Sequence, residues 1–514
     1  MFVAAENGAL PGAKVGGVAD VIRDLPPAVA AEGWRATVVN PSYGSLHRLP
    51  GARALARLRV PFRGSTFTFT AYSVPANRDG VDCVVLDHPL LVPTEPGVVY
   101  HGDADDRPYA TDAGKFAFFC AAVAAWLGSR ERRPDALHLH DWHCGVLTVL
   151  RAFEPRFAAL REVRTAFTIH NLAYQGQRPK RGDVSALDTW FPALAYTPGA
   201  VADPANAEVF NPMAAAIRLA DRVNAVSPTY AREVQRPSAP EQGFVGGEGL
   251  ESILRERAAN GALIGILNGC EYPQMLPGAP DWPAVRQAVA TALEGWQQQE
   301  KNGAAREAHR LAAATLARIG TARPRHLLTS VGRIVDQKMR LFFTGAGGGR
   351  SALAALLDEL GNRGLLVLLG TGDSRYEALL VKLAGERTNL LFLRGYSEAL
   401  SAALYAAGDL FLMPSSFEPC GISQMLAMRS GQPCVVHGVG GLRDTVEDEL
   451  TGFVFEGGSP AEQAGNFVSR TSAALALRER DPARWDSIRR AAAAQRFDWS
   501  RAAKTYIREM YARP

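Results

Sequence analysis

Asp409-Leu-Phe-Leu-Met413 runs straight into Pro414-Ser-Ser-Phe-Glu-Pro-Cys-Gly421, and Gly438-Val-Gly-Gly-Leu-Arg-Asp444 follows shortly after. The apolar run reads as a strand emptying into a turn that carries one carboxylate, Glu418. The second segment places a glycine pair, Gly440 and Gly441, ahead of a helix-like stretch. Such a pair lets backbone N–H groups approach an anion, and the following helix adds its positive N-terminal end. A carboxylate beside an anion pocket is electrostatically awkward unless it serves another part of the ligand, such as sugar hydroxyls. The combination points to a nucleotide sugar.

The same strand-then-turn grammar recurs along the chain. Val38-Val39, Val84 to Leu86, Ala136 to His140, Ala166 to His170 and Val223 to Val226 read as strands in the first half. Leu327 to Val331, Leu365 to Leu369, Leu391 to Leu393, Leu410 to Met413 and Cys434 to Val436 read as strands in the second. Near-continuous apolar strands separated by helix-length segments imply α/β architecture with parallel sheets covered on both faces. The stretch from about Asn268 to Arg325 differs. It holds Pro273, Pro277, Pro280 and Pro283, then a polar, alanine-rich helical run from Val285 to Ile319, and reads as a connection between domains. The expected division is 1–267, a connection over 268–325, a second domain over 326–490 and a C-terminal helix over 491–514, capped by Asp498 or Ser500.

At 514 residues the chain has room for two or three domains. A net charge of +4 gives no ground for nucleic-acid or membrane binding. Six cysteines without a CxxC pair read as reduced thiols of a cytoplasmic protein. No basic leader precedes the first apolar residues, and Met1 stands almost inside a strand, so the start is expected to be clipped by a few residues. Phe116 to Leu127 is too short to span a bilayer and reads as a buried helix. Gly345 to Gly349 reads as a loop tip.

Several strand ends carry chemistry. Lys14-Val-Gly-Gly17, with Asp20 beyond, follows the first strand, where ligands of open α/β sheets sit; it is either a ligand loop or a tight turn with a surface lysine. In His138-Leu-His-Asp-Trp-His143 the first two histidines share a strand face. Zinc needs three or four convergent ligands, and nothing forces His143 onto that face, so a strand-end pair of His140 and Asp141 facing a cleft is preferred to a metal site. His170 and Asn171 end another strand with groups suited to a sugar. Arg333 and Lys338 follow Leu327 to Val331 and supply two cations suited to a diphosphate.

Together these segments resemble the bacterial glycogen synthase and plant starch synthase family, the ADP-glucose-dependent glucan synthases. KVGGVAD, HLHDWHCG, TIHNLAYQG, ADRVNAVSPTYAREV, GILNGCEY, GRIVDQK, LLGTGD, FLMPSSFEPCG and GVGGLRDTV occur in family order across nearly the whole chain. The resemblance implies the GT-B architecture, two Rossmann-like domains facing across a deep cleft with the C-terminal helix returning to the first. The implied activity is retaining transfer of glucose from ADP-glucose to the non-reducing end of an α-1,4-glucan, without metal or cofactor. By position, Lys14 is similar to the family lysine at the donor diphosphate, with Gly16 and Gly17 as its backbone cradle and Asp20 near the active site. Asp141 and His170 look like the polar pair at the glucose, with Asn171 beside them, and Asn268 matches a cleft position. Arg333 and Lys338 look like the phosphate clamp, Tyr396 like an aromatic on adenine, and Glu418 like the glutamate at the sugar, with Cys420, Gly421, Gly440 and Gly441 lining that region.

The familiar KTGG is here KVGG, the glycine after QK is Met339, and TGGL is Val439-Gly-Gly-Leu442; every charged position is kept. Two other readings stand beside this one. One is a related glucosyltransferase that uses UDP-glucose or makes a short oligosaccharide. The other is a glucan-binding protein without activity.

Overall fold

The computed structural model describes residues 1–76, 78, 80–272, 280–299 and 303–512. Pro273 and Pro277 of the expected connection lie outside the described residues. The chain divides into two units: unit 1 holds Met1–Ser238, Gly246–Glu271 and Asp498–Pro514, and unit 2 holds Ala239–Val245 and Tyr272–Phe497.

Unit 1 is built on a nine-stranded sheet. Strand Phe2–Val3 lies between Ala36–Pro41 on one side and Ala136–His140 on the other, parallel to both. The sheet then extends in parallel through Arg164–Ile169, Arg222–Ala225 and Leu263–Gly265. On the other flank Val81–Asp87 is parallel to Ala36–Pro41, but Ser65–Val74 and Arg53–Phe62 are antiparallel. The sheet is therefore mixed rather than purely parallel. The chain moves first to one side of Phe2–Val3 and later to the other, so the strand order reverses between Phe2–Val3 and its neighbours, the position at which open α/β sheets bind ligands.

Unit 2 has six parallel strands in the order Leu390–Arg394, Gly364–Gly370, His326–Val331, Leu410–Met413, Cys434–His437 and Phe453–Phe455. Its reversal of order falls between His326–Val331 and Leu410–Met413, whose exits carry Lys338 and Glu418 respectively. The strands are largely apolar and buried, Gly364–Gly370 at every position, as a sheet covered on both faces requires.

Two boundaries differ from expectation. Helices Trp282–Gln299 and Gly303–Ile319 belong to unit 2 and are not a free connection. Val285, Val289 and Leu293 recur at helical spacing and pack with Leu316, Leu327, Leu365 and Leu391, an apolar stripe hidden in a polar, alanine-rich sequence. Helix Pro482–Ala494 also belongs to unit 2, and Ala239–Val245 joins it as well, with Gln463 Nε2 donating to the Gln242 carbonyl at 2.9 Å.

The C-terminal segment returns to unit 1. Helix Trp499–Tyr506 continues as one π turn, Ile507–Tyr511. Trp499, Ala502, Ala503, Tyr506, Met510 and Tyr511 complete a core with Phe2, Val21, Ile22, Leu25 and Val29. Asp498 occupies the N-cap position, yet its side chain makes no capping hydrogen bond. Helix Ala110–Gly128 is long and apolar enough to cross a membrane by length and composition, and it is the buried central helix of unit 1.

Candidate active site

In unit 2 the reversal point brings two charged residues together. Lys338 lies in helix Asp336–Phe343, one turn beyond strand His326–Val331, and Glu418 lies in the turn after Leu410–Met413. Lys338 Nζ stands 2.7 Å from Glu418 Oε2, with the lysine side chain 17% and the glutamate 8% exposed. Ser415 Oγ donates to the same oxygen at 3.0 Å. Glu418 Oε1 keeps no partner among the described residues, which leaves it available to a ligand hydroxyl.

The glycines beside this pair are structural necessities. Gly440 has φ +44°, and a Cβ there would fall 1.9 Å from the Glu418 carbonyl oxygen. A Cβ on Gly441 would fall 2.3 Å from the Cys420 carbonyl oxygen, and Gly441 N donates to the Glu418 carbonyl at 3.0 Å. Gly421, at φ +76°, takes the left-handed turn that glycine permits. Gln424 Nε2 closes the turn on the Cys420 and Gly421 carbonyls at 3.2 Å each. The glycine loop is thus locked onto the Glu418 segment.

Arg333 and Lys338 are not an equivalent pair. Lys338 is half-buried and committed to Glu418, whereas Arg333 is exposed and has no side-chain partner among the described residues. Met339, where the family has glycine, faces the core of unit 2 from helix Asp336–Phe343. Tyr396 follows strand Leu390–Arg394 and is 68% exposed. Its backbone rests on Trp296, whose Nε1 donates to the Tyr396 carbonyl at 3.3 Å. The adjoining Gly395 presses on the same indole, where a Cβ would approach to 2.5 Å.

In unit 1 the Lys14–Gly17 turn leads into helix Gly17–Ala31. Lys14 Nζ lies 2.7 Å from Asp20, which also pairs with Arg23 at 2.8 Å. Gly16 was expected in a phosphate cradle, but its N–H is already spent: it donates to Glu6 Oε2 at 2.5 Å, as Val15 N does at 2.8 Å. Neither Gly16 nor Gly17 has a left-handed φ, and a Cβ on Gly17 would meet open space. The fold does not demand glycine at position 17.

Asp141 ends strand Ala136–His140 with φ 57° and ψ 179°, a conformation that costs a non-glycine residue about 1–3 kcal/mol. Its Oδ1 accepts from the His170 backbone N at 2.7 Å. Burial pushes the Asp141 carboxyl up to about 7, against the backbone donors of His170 and Asn171, while Glu6 adds to the rise. His170 is held neutral by burial, down at about 3. Its Nε2 lies 3.0 Å from His140 Nδ1. His138 is occupied by Tyr511 and Thr168 at 2.8 and 2.7 Å, and His143 packs against Tyr100, Phe116 and Trp142. Among the described residues no three His, Cys, Asp or Glu side chains are grouped to hold an ion.

Asn171 Oδ1 accepts from Ala173 N at 2.9 Å, and its side-chain amide N–H groups have no partner among the described residues. Asn268 is buried, with Oδ1 unpaired. Sequence reasoning passed over Glu6, Tyr100, Ser415 and Trp296. Glu6 alone had a signal, an isolated carboxylate immediately past the first strand.

Residues 1–256 match the model of the starch synthase catalytic domain, and residues 325–470 match that of glycosyl transferases group 1. A glycogen synthase from Anaeromyxobacter sp. (strain Fw109-5) is 36% identical over 98% of this chain and 97% of its own length. The chain belongs to the glycogen synthase and starch synthase family. A glycogen synthase of Moorella thermoacetica is 32% identical, again over 98% of this chain and 94% of its own. The catalytic domain of starch synthase IV from Arabidopsis thaliana, solved with ADP and acarbose, aligns over 99% of this chain and 98% of its own, with a TM-score of 0.74 and 26% identity. Sucrose-phosphate synthase from Thermosynechococcus elongatus, at 17% identity and a TM-score of 0.55, shares the fold. Within this family the two α/β units are the Rossmann-like halves of a GT-B glycosyltransferase, and the enzyme builds glucan by glucosyl transfer.

Proposed function

We propose that this family member transfers glucose from ADP-glucose to the non-reducing end of an α-1,4-glucan with retention at the anomeric carbon. The observation that carries the reading is the Lys338–Glu418 contact of 2.7 Å at the strand-order reversal of unit 2. A cation suited to a leaving phosphate and a carboxylate with one free oxygen suited to sugar hydroxyls stand side by side. The related starch synthase structure is bound to ADP and acarbose, which supports a nucleotide and a sugar ligand side by side here.

In this reading Lys338 and Arg333 meet the negative charge that builds on the departing ADP, and Lys14 is likewise assigned to a donor phosphate. Preorganised donors of this kind are worth about 10²–10³ in rate each. Glu418 Oε1 takes a glucose hydroxyl, His170 and Asn171 supply further polar contacts, and Tyr396 offers a ring face to adenine. The C1–O bond to phosphate breaks as the acceptor hydroxyl bonds to C1 on the same face, and the acceptor proton passes to the leaving phosphate. The charge is met by side chains, so ADP-glucose enters as substrate and no cofactor is invoked. Six buried cysteines that form no disulfide among the described residues agree with a cytoplasmic site of action.

Incorporation of labelled glucose into glycogen from ADP-glucose and from UDP-glucose tests the proposal. Transfer from ADP-glucose at least ten-fold faster than from UDP-glucose is expected. Preference for UDP-glucose, products limited to short oligosaccharides, or glucan binding without ADP release would each overturn it.

A further inference from the structure

Glu6 has no assigned part in the reaction, yet it is the most heavily engaged carboxylate near the Lys14 turn. It lies just beyond strand Phe2–Val3, at the point where the strand order of unit 1 reverses, and is 3% exposed. Oε2 accepts from Val15 N at 2.8 Å and Gly16 N at 2.5 Å, and Oε1 accepts from the Tyr100 hydroxyl at 2.8 Å. The backbone beneath is equally fixed. Asn40 Nδ2 donates to the carbonyls of Ala4 and Glu6 at 2.8 and 3.2 Å, and the Tyr43 hydroxyl donates to the Ala5 carbonyl at 2.7 Å. The carboxylate is therefore rigid with respect to the sheet.

The turn it holds is otherwise lightly supported. Val15 is 49% exposed, and nothing lies within 4 Å of where a Gly17 Cβ would be. The Lys14 side chain is 45% exposed and its ammonium contacts only Asp20 among the described residues. Hydrogen bonds to a charged acceptor are the stronger kind. Two of them from consecutive amides fix both position and orientation of the residues on either side.

We infer that Glu6 is a positioning residue for the donor: by gripping the Val15 and Gly16 amides it sets the turn that carries Lys14, so that the Lys14 ammonium is held ready for a phosphate. This rests on the reading of Lys14 as a diphosphate ligand, and it moves Gly16 from ligand to support. Glu6 touches neither substrate nor reacting atoms. It acts through Lys14, so its effect disappears once Lys14 is gone.

A double-mutant cycle on the full chain tests this, with ADP affinity by calorimetry as readout and malto-oligosaccharide affinity as control. Glu6→Ala is expected to weaken ADP binding ten-fold or more and leave malto-oligosaccharide binding within two-fold. Glu6→Gln, whose amide oxygen still accepts one N–H, is expected to lose about three-fold. Lys14→Ala weakens ADP, and Glu6→Ala/Lys14→Ala binds ADP within two-fold of Lys14→Ala alone. Wild-type ADP affinity in Glu6→Ala, losses that multiply in the double variant, or equal weakening of ADP and glucan overturns the inference. If Glu6→Ala does not fold, the same cycle run with Glu6→Gln decides it. Unchanged ADP affinity in Lys14→Ala sinks the Lys14 reading itself, a result separate from the Glu6 outcomes.

Discussion

Lys338 Nζ and Glu418 Oε2 are 2.7 Å apart although 80 residues separate them in sequence. They meet because strands His326–Val331 and Leu410–Met413 are hydrogen-bonded neighbours whose exits face the same way. Under the proposed function, the pair sets positive charge for a leaving group beside an acceptor for the sugar being transferred.

Replacing either member by alanine is expected to lower kcat by about 10²–10³ while the fold persists. Initial rates of ADP release, with circular dichroism on the same samples, check this. Turnover near wild type in both variants would remove the pair from the mechanism.

Asp141 carries a pH signature. Its carboxyl titrates at about 7 in the folded chain because it is buried, against roughly 4 for an exposed aspartate. Between those values the native state retains a proton that the unfolded chain has released, so stability falls as pH rises through this window and levels off above it. Asp141→Asn should therefore melt higher than wild type at pH 8, with the difference shrinking toward pH 4. A constant difference across that range would contradict the burial argument.

Gly440→Ala is expected to abolish most activity. Its φ of +44° and a Cβ at 1.9 Å from the Glu418 carbonyl force the Glu418 segment to move. A loss of about 1–3 kcal/mol in stability should accompany at least a ten-fold fall in kcat, read by denaturant titration and rate assay.

Tyr396 makes the opposite prediction. At 68% exposed its ring supports little packing, so Tyr396→Ala should change stability by no more than about 0.5 kcal/mol. If the ring stacks on adenine, a contact worth about 1–3 kcal/mol, KM for ADP-glucose rises roughly 5- to 150-fold. An unchanged KM would free Tyr396 from that role.

Most of the parallel framework was legible because buried strands such as Leu365 to Leu369 are unbroken apolar runs. The hairpin of Arg53–Phe62 and Ser65–Val74 was not. Its alternation of Arg57, Leu58, Arg59 and Val60 reflects one wet face, a pattern that a search for continuous apolar runs passes over. Helix Trp282–Gln299 resembles a linker in sequence because its apolar residues are spaced out among alanines and glutamines. At the site, charged groups beside glycines announced themselves, as Lys338 and Glu418 did. Supporting groups did not: Ser415, Trp296 and Glu6 become meaningful only when their distant partners are known, and partners are a property of topology.

The segment from Trp499 to Tyr511 also sets a timetable for biosynthesis. Strand Phe2–Val3 is synthesised long before Trp499–Tyr511, so the core it belongs to lacks its final side chains until all of Tyr272–Phe497 has been translated. At roughly 5–20 residues per second, the nascent first half waits on the order of ten seconds or more with an apolar groove uncovered.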